Sequence, residues 1–79
     1  MNLQEQNFLR ELGSRLRRHR EGRGWTQAQL AQRCDLHRTF IGSVERGERN
    51  VSILNLRLIA RLLRIPLAEL LAPSRPRGA

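Results

Sequence analysis

Trp25-Thr26-Gln27-Ala28-Gln29-Leu30-Ala31, followed after a short gap by Ile41-Gly42-Ser43-Val44-Glu45-Arg46-Gly47, is the stretch whose reading decides the fold. Thr26 is a good N-cap, and Gln29 three residues later completes a capping box. Trp25 before the cap and Leu30 inside the helix are spaced as a hydrophobic staple. Leu30, Ala31 and Cys34 form the inward stripe of a helix that should stop near Asp35. A next helix is predicted over 37–46, with Gly47 ending it. On its wheel Phe40, Ile41 and Val44 share one face, and Arg38, Thr39, Gly42, Ser43 and Arg46 share the other.

Outward from this pair the pattern stays helical. Apolar residues recur at three- and four-residue spacing, and nothing suggests strands. Residues 1–5 read as a polar lead-in. Phe8, Leu9, Leu12 and Leu16 mark one face of a helix over 6–21, which Gly22 and Gly24 should end. Ser52 is expected to cap a fourth helix through Leu63, and Pro66 suits the first turn of a fifth over 66–71. Residues 72–79 carry two Pro and two Arg and are expected to be a disordered tail. The predicted architecture is all-α: one compact domain of about five short helices over 6–71. At 79 residues the chain has room for one domain, and so small a core often gains stability from a partner subunit.

Charge gives the first functional direction. The net charge is +8 on 9.2 kDa, and every basic residue is Arg. A GC-rich genome favours Arg codons over Lys, but codon bias does not explain the surplus. A basic surplus favours polyanions, nucleic acid first and anionic membrane second. Arg makes bidentate contacts to phosphate and guanine that Lys cannot reproduce. Insertion into a membrane surface is disfavoured because Leu9, Leu12 and Leu16 are needed for the core, which leaves that helix no spare apolar face. No apolar run approaches the ~18 residues of a membrane span, and no signal-peptide pattern stands at the start. A cytoplasmic location is expected. Cys34 is alone, and its spacing from His19 and His37 does not make a metal site. No cofactor is expected. No paired carboxylates and no nucleophile–base pair suggest an enzyme. His19 lines up with Leu12 and Leu16 and reads better as a half-buried histidine than as a pH switch.

Two helices joined by so short a turn make a helix-turn-helix, whose second helix enters the DNA major groove. Such a helix needs an apolar inner face, an outer face that reaches base edges, and little bulk where it meets DNA. Gly42 is poor for helix stability, at ~1 kcal/mol worse than Ala, and a gap in bulk on the exposed face is a reason to hold it there.

The segments 25–31 and 41–47 resemble the phage-repressor and Cro type of helix-turn-helix, the XRE family, and the resemblance runs over about 12–71. Leu36 to Ile41 and Glu45 to Ser52 are most similar to controller proteins of bacterial restriction–modification systems. The resemblance implies a lambda-repressor-like fold and a regulator that binds a double-stranded DNA operator. It implies that Arg38, Thr39 and Ser43 read bases. Gln27, Arg46, Arg49 and Asn50 would contact the DNA backbone, with Arg17 and Phe40 completing that set. It places Ala31 where the two helices cross and pairs Arg20 with Glu45. If buried, that bridge costs ~3–5 kcal/mol when one partner is removed; as two solvated charges it is worth almost nothing. Two positions depart from the pattern. Asp35 stands where Gly is frequent, and His37 stands where the controllers often carry Asp, so a good cap is lost.

Helix four is too apolar for a monomer. Leu56, Ile59, Ala60 and Leu63 can face the core, while Arg57, Arg61 and Arg64 form one narrow stripe. That leaves Ile53, Leu54, Leu58 and Leu62 uncovered, joined by Leu67 and Leu70 of helix five. A two-fold homodimer on a pseudo-palindromic operator is the expected solution. RNA polymerase is a candidate further partner of such a regulator. An antitoxin-like module that neutralises a partner protein and regulates its own operon is the alternative reading.

Overall fold

The computed structural model describes residues 1–72, so the expectation of a disordered tail lies almost wholly outside the described residues. Five helices follow one another: α1 (Leu3–Gly22), α2 (Gln27–Cys34), α3 (Arg38–Glu45), α4 (Ile53–Leu63) and α5 (Leu67–Leu71).

α1 begins earlier than the sequence reading predicts. The Asn2 side chain accepts a hydrogen bond from the Glu5 amide at 2.8 Å, and the Glu5 carboxylate accepts one from the Asn2 amide at 3.1 Å. This reciprocal cap makes the expected lead-in a helical turn. Gly22 stays inside α1, and the left-handed step falls on Gly24, with φ 74°. Phe8, expected on the core face, is 45% exposed; the buried stripe is Leu9, Leu12 and Leu16.

α2 is capped as its sequence predicts. Thr26 Oγ1 accepts from the Gln29 amide at 3.1 Å, and Gln29 Oε1 accepts from the Thr26 amide at 2.8 Å. Asp35 closes the helix in left-handed geometry at φ 56°, which lets the Leu36 amide reach back to the Ala31 carbonyl at 2.8 Å. α3 then starts at once, with His37 as an N-cap that makes no side-chain cap bond. Ser52 caps α4 through the Asn55 amide at 3.1 Å. Pro66 precedes α5 as its N-cap, one place earlier than its expected position in the first turn.

The core gathers Leu12, Leu16, Leu30, Ile41, Val44, Leu56, Ile59, Leu63 and Leu70 from all five helices. Each such Leu or Ile contributes ~1.5–3 kcal/mol on burial. Leu70 requires a correction. The sequence pattern assigns it to a dimer seam, but it is 0% exposed inside its own subunit. α5 folds back onto α1, and the Arg15 Nε donates to the Leu70 carbonyl at 2.8 Å.

Three arginines in α1 and just beyond it bond back to main-chain carbonyls; Arg15 and Arg20 are buried and Arg23 is exposed. Besides Arg15, Arg23 donates from Nε and Nη2 to the Leu63 carbonyl at 3.1 and 2.8 Å. Arg20 donates to the Trp25 carbonyl at 2.7 Å. Leu63 and Leu70 lie in the last turns of α4 and α5, where carbonyls lack helical partners, so Arg23 and Arg15 satisfy orphan acceptors at the negative ends of helix dipoles.

Candidate nucleic-acid interface

α2 and α3 make the most extensive helix pair in the molecule. Between them opens a cleft lined by Gln27, Arg38, Thr39, Gly42 and Arg46. Its floor is set from below. Arg20 donates to Glu45 from Nε at 2.6 Å and from Nη2 at 3.0 Å, so the expected ion pair is formed and bidentate. The Glu45 side chain is only 3% exposed. That hydrogen bond holds the Arg20 guanidinium above its ordinary pKa, against the opposing effect of burial. Gln27 Nε2 donates to Glu45 Oε1 at 3.0 Å. The relay Arg20–Glu45–Gln27 thus ties α1, α3 and the first residue of α2 together. It leaves the Gln27 amide fixed at the rim of the cleft, at the positive end of the α2 dipole.

Gly42 serves a different purpose from the one its sequence position suggests. It is buried, not part of an exposed slim face. A Cβ there would lie 3.2 Å from Arg46 Nη1 and 3.3 Å from Gln27 Oε1. The missing side chain lets the ends of Gln27 and Arg46 close over α3.

Arg38 and Thr39 are exposed in the first turn of α3. Ser43 is half-buried and already engaged. Its Oγ donates to the Phe40 carbonyl at 2.8 Å and accepts from Arg49 Nε at 3.1 Å. The Arg49 guanidinium also stands 5.0 Å from the centroid of the Phe40 ring. Arg49, which follows the recognition helix, is therefore held back against its outer face. Arg46 is exposed and pairs with Glu48 at 3.0 Å, a contact that any phosphate at Arg46 must compete with. Asn50 sits elsewhere, in a shallow concavity with Gln4 and Phe8 of α1. Arg17 is exposed and paired with Glu21 at 3.1 Å, outside the cleft. The structure thus brings Gln27, Arg38, Thr39 and Arg46 to one cleft and Phe40, Ser43 and Arg49 to one cluster. Arg17 and Asn50 stand apart from both.

Two glycines that sequence reading passed over, or read only as a stop, position α3. A Cβ on Gly13 would overlap the Val44 carbonyl oxygen and lie 2.5 Å from that of Glu45. Gly47, at φ 73°, would place a Cβ 2.8 Å from the Arg10 backbone. α1 therefore touches the end of the recognition helix backbone to backbone. Spacing shows that a helix tolerates Gly13; it does not show what lies opposite.

Among the described residues no cluster of His, Cys, Asp or Glu is arranged to hold a metal ion. None of their helices is long and apolar enough to cross a membrane.

Residues 16–70 match the family model HTH_3, described as helix-turn-helix. The control protein C.SmaI of Serratia marcescens is 43% identical over 60 residues, 76% of this chain and 71% of that protein. The crystal structure of the restriction–modification controller C.AhdI from Aeromonas hydrophila superposes with a TM-score of 0.76 at 44% identity. It covers 78% of this chain and 94% of that one. The hypothetical transcription factor NHTF from Neisseria superposes with a TM-score of 0.82 at 35% identity, over 87% of this chain and 79% of that one. The chain therefore belongs to the HTH_3 helix-turn-helix family, the phage-repressor and Cro type that the residues from Trp25 to Gly47 resemble.

Proposed function

We propose that the protein is a sequence-specific regulator of transcription that binds duplex DNA as a homodimer and controls a restriction–modification operon. The observation that carries the DNA reading is the cleft of Gln27, Arg38, Thr39 and Arg46 at the start of α2 and along α3. Arg38 and Thr39 read base edges in the major groove. Gln27 and Arg46 grip phosphates on either side, and Ser43 with Arg49 completes the face. The kinship with C.SmaI and C.AhdI supports the controller reading. Regulation then follows from an operator-bound dimer that recruits or obstructs RNA polymerase.

The dimer rests on α4. Ile53 and Leu54 are 57% and 70% exposed, and half-buried Leu58 and Leu67 extend the apolar surface. Leu62 packs beside Trp25 and contributes less. Two such faces paired across a two-fold axis place recognition helices one DNA turn apart, ~34 Å.

Selection from a pool of random duplexes tests this reading. We expect recovery of a pseudo-palindromic sequence with half-site centres about one turn apart. Recovery of no common sequence would remove base reading, and an asymmetric single site would remove the dimer.

A further inference from the structure

At the C-terminal end of α4 the chain builds a second basic surface. Arg23, Trp25, Arg33, Arg61, Leu62 and Arg64 line an open groove of about 590 Å³. The Arg33 guanidinium stacks 4.2 Å from the Trp25 ring centroid, and that of Arg23 lies 6.0 Å from it on a longer approach. Among the described residues no carboxylate lies within 4.0 Å of any of these four arginines. Arg15, Arg17, Arg20 and Arg46 each have one, whereas Arg10, Arg18, Arg38, Arg49 and Arg57 have none either; what sets the four apart is that they share one concavity.

Helix-end electrostatics explain only part of this. Arg23 caps the Leu63 carbonyl and has a structural task. Arg61 and Arg64 are exposed, and neither donates a side-chain hydrogen bond within the described chain. Arg64 also holds left-handed backbone at φ 60°, a conformation for which Asn or Gly is better suited. Clustered like charges in the free protein are unfavourable unless something anionic joins them.

The operator face does not absorb this groove. Gln27 and Arg33 are six positions apart on α2, about 120° apart around the helix. Gln27 turns to Glu45 and the α3 cleft, whereas Arg33 turns to Trp25. The α3 cleft and this groove have no lining residue in common.

We infer that this groove docks an acidic, leucine-bearing segment of a partner protein. Charge complementarity fixes the sign of the occupant. Trp25 and Leu62 are half-buried and supply apolar surface that a free phosphate has no use for. Arg and Trp in one concavity are the residue types that dominate protein interfaces, and each guanidinium offers a fork matched to a carboxylate.

Trp25 makes the groove directly observable, since the chain has one Trp and no Tyr. The full chain is titrated, at physiological salt, with a synthetic peptide alternating Glu and Leu while Trp25 emission is read. All-Glu peptide, tripolyphosphate and a non-operator duplex serve as comparison probes. The Glu–Leu peptide should change the emission saturably and bind more tightly than the other three. Arg33→Gln with Arg64→Gln, which spares Arg61 because it also borders Leu54 and Leu58 of the proposed dimer face, should weaken it by about 10-fold or more, as loss of two charge-assisted contacts requires. Circular dichroism and affinity for the selected operator should be retained in that variant. Arg38→Ala should leave the peptide response intact while it impairs operator binding, which separates failure here from failure of the DNA reading. An unchanged peptide affinity in the double variant would overturn the proposal. So would an equal response to tripolyphosphate or duplex, or no response to the peptide.

Discussion

The Gly13 hydrogen faces the main-chain oxygens of Val44 and Glu45, and no side chain fits between them. Gly13→Ala should destabilise the protein by ~1–3 kcal/mol in denaturant titration, because the obstacle is backbone and cannot swing aside. Gly22→Ala is the matched control. It meets nothing within 4 Å and should be neutral or stabilise by up to ~1 kcal/mol. Arg20→Ala should cost ~3–5 kcal/mol, since it strips a bidentate partner from a carboxylate that is almost fully buried. The raised pKa of Arg20 means its contribution is complete below the ordinary guanidinium value and is lost only above it, so it adds no slope near neutrality. Cys34 behaves differently. Burial pushes its thiol up, so its contribution is complete below the ordinary thiol value and is lost as the pH climbs through the raised one. Stability should therefore decline above about pH 8.5, and Cys34→Ala should flatten that decline whatever it does to the absolute value. Legibility at this scale divides by distance along the chain. Thr26 with Gln29, and Asp35 as the turn, act on residues within one helical turn and are readable. Arg15 and Arg23 were indistinguishable from solvent-facing cations because their acceptors are main-chain carbonyls 55 and 40 residues away.

Among the helices, α3 carries the proposed base contacts, and α1 with α2 holds it in place. The α2–α3 pair was legible because its stop, turn and restart occupy consecutive residues. The start of α1 was equally available, as Asn2 followed by Glu5, but no apolar residue near Leu3 is buried to announce it. The role of Gly42 is not legible in its own helix pattern, because Gln27 reaches it from α2. The place of α5 is not legible for a similar reason, because periodicity cannot say that Leu70 turns under α1. The Ser43 hydroxyl bridges the Phe40 carbonyl and Arg49. Ser43→Ala should free Arg49 and weaken operator affinity without unfolding α3, as judged by anisotropy and circular dichroism. Gln27→Ala should lower affinity for all duplexes alike, as loss of a phosphate contact does.

For the whole molecule, exposure on α4 sets the sensitive point of the proposed dimer. Leu58 packs partly against its own core, whereas Leu54 stands out into solvent. Leu54→Glu should give a folded monomer by sedimentation, with poor operator affinity; a wild-type chain that stays monomeric well above micromolar concentration would end the dimer model. Affinity should also fall steeply with salt, by ~0.9 in log–log slope for each phosphate neutralised. The central claim is that the outer face of α3 reads bases. Its most direct test is the affinity of wild type and Arg38→Ala for the selected duplex and for the same duplex scrambled, at one salt concentration. Loss of a base contact predicts a drop of ~1–3 kcal/mol on the selected sequence and little change on the scrambled one. Equal losses on both duplexes would contradict it.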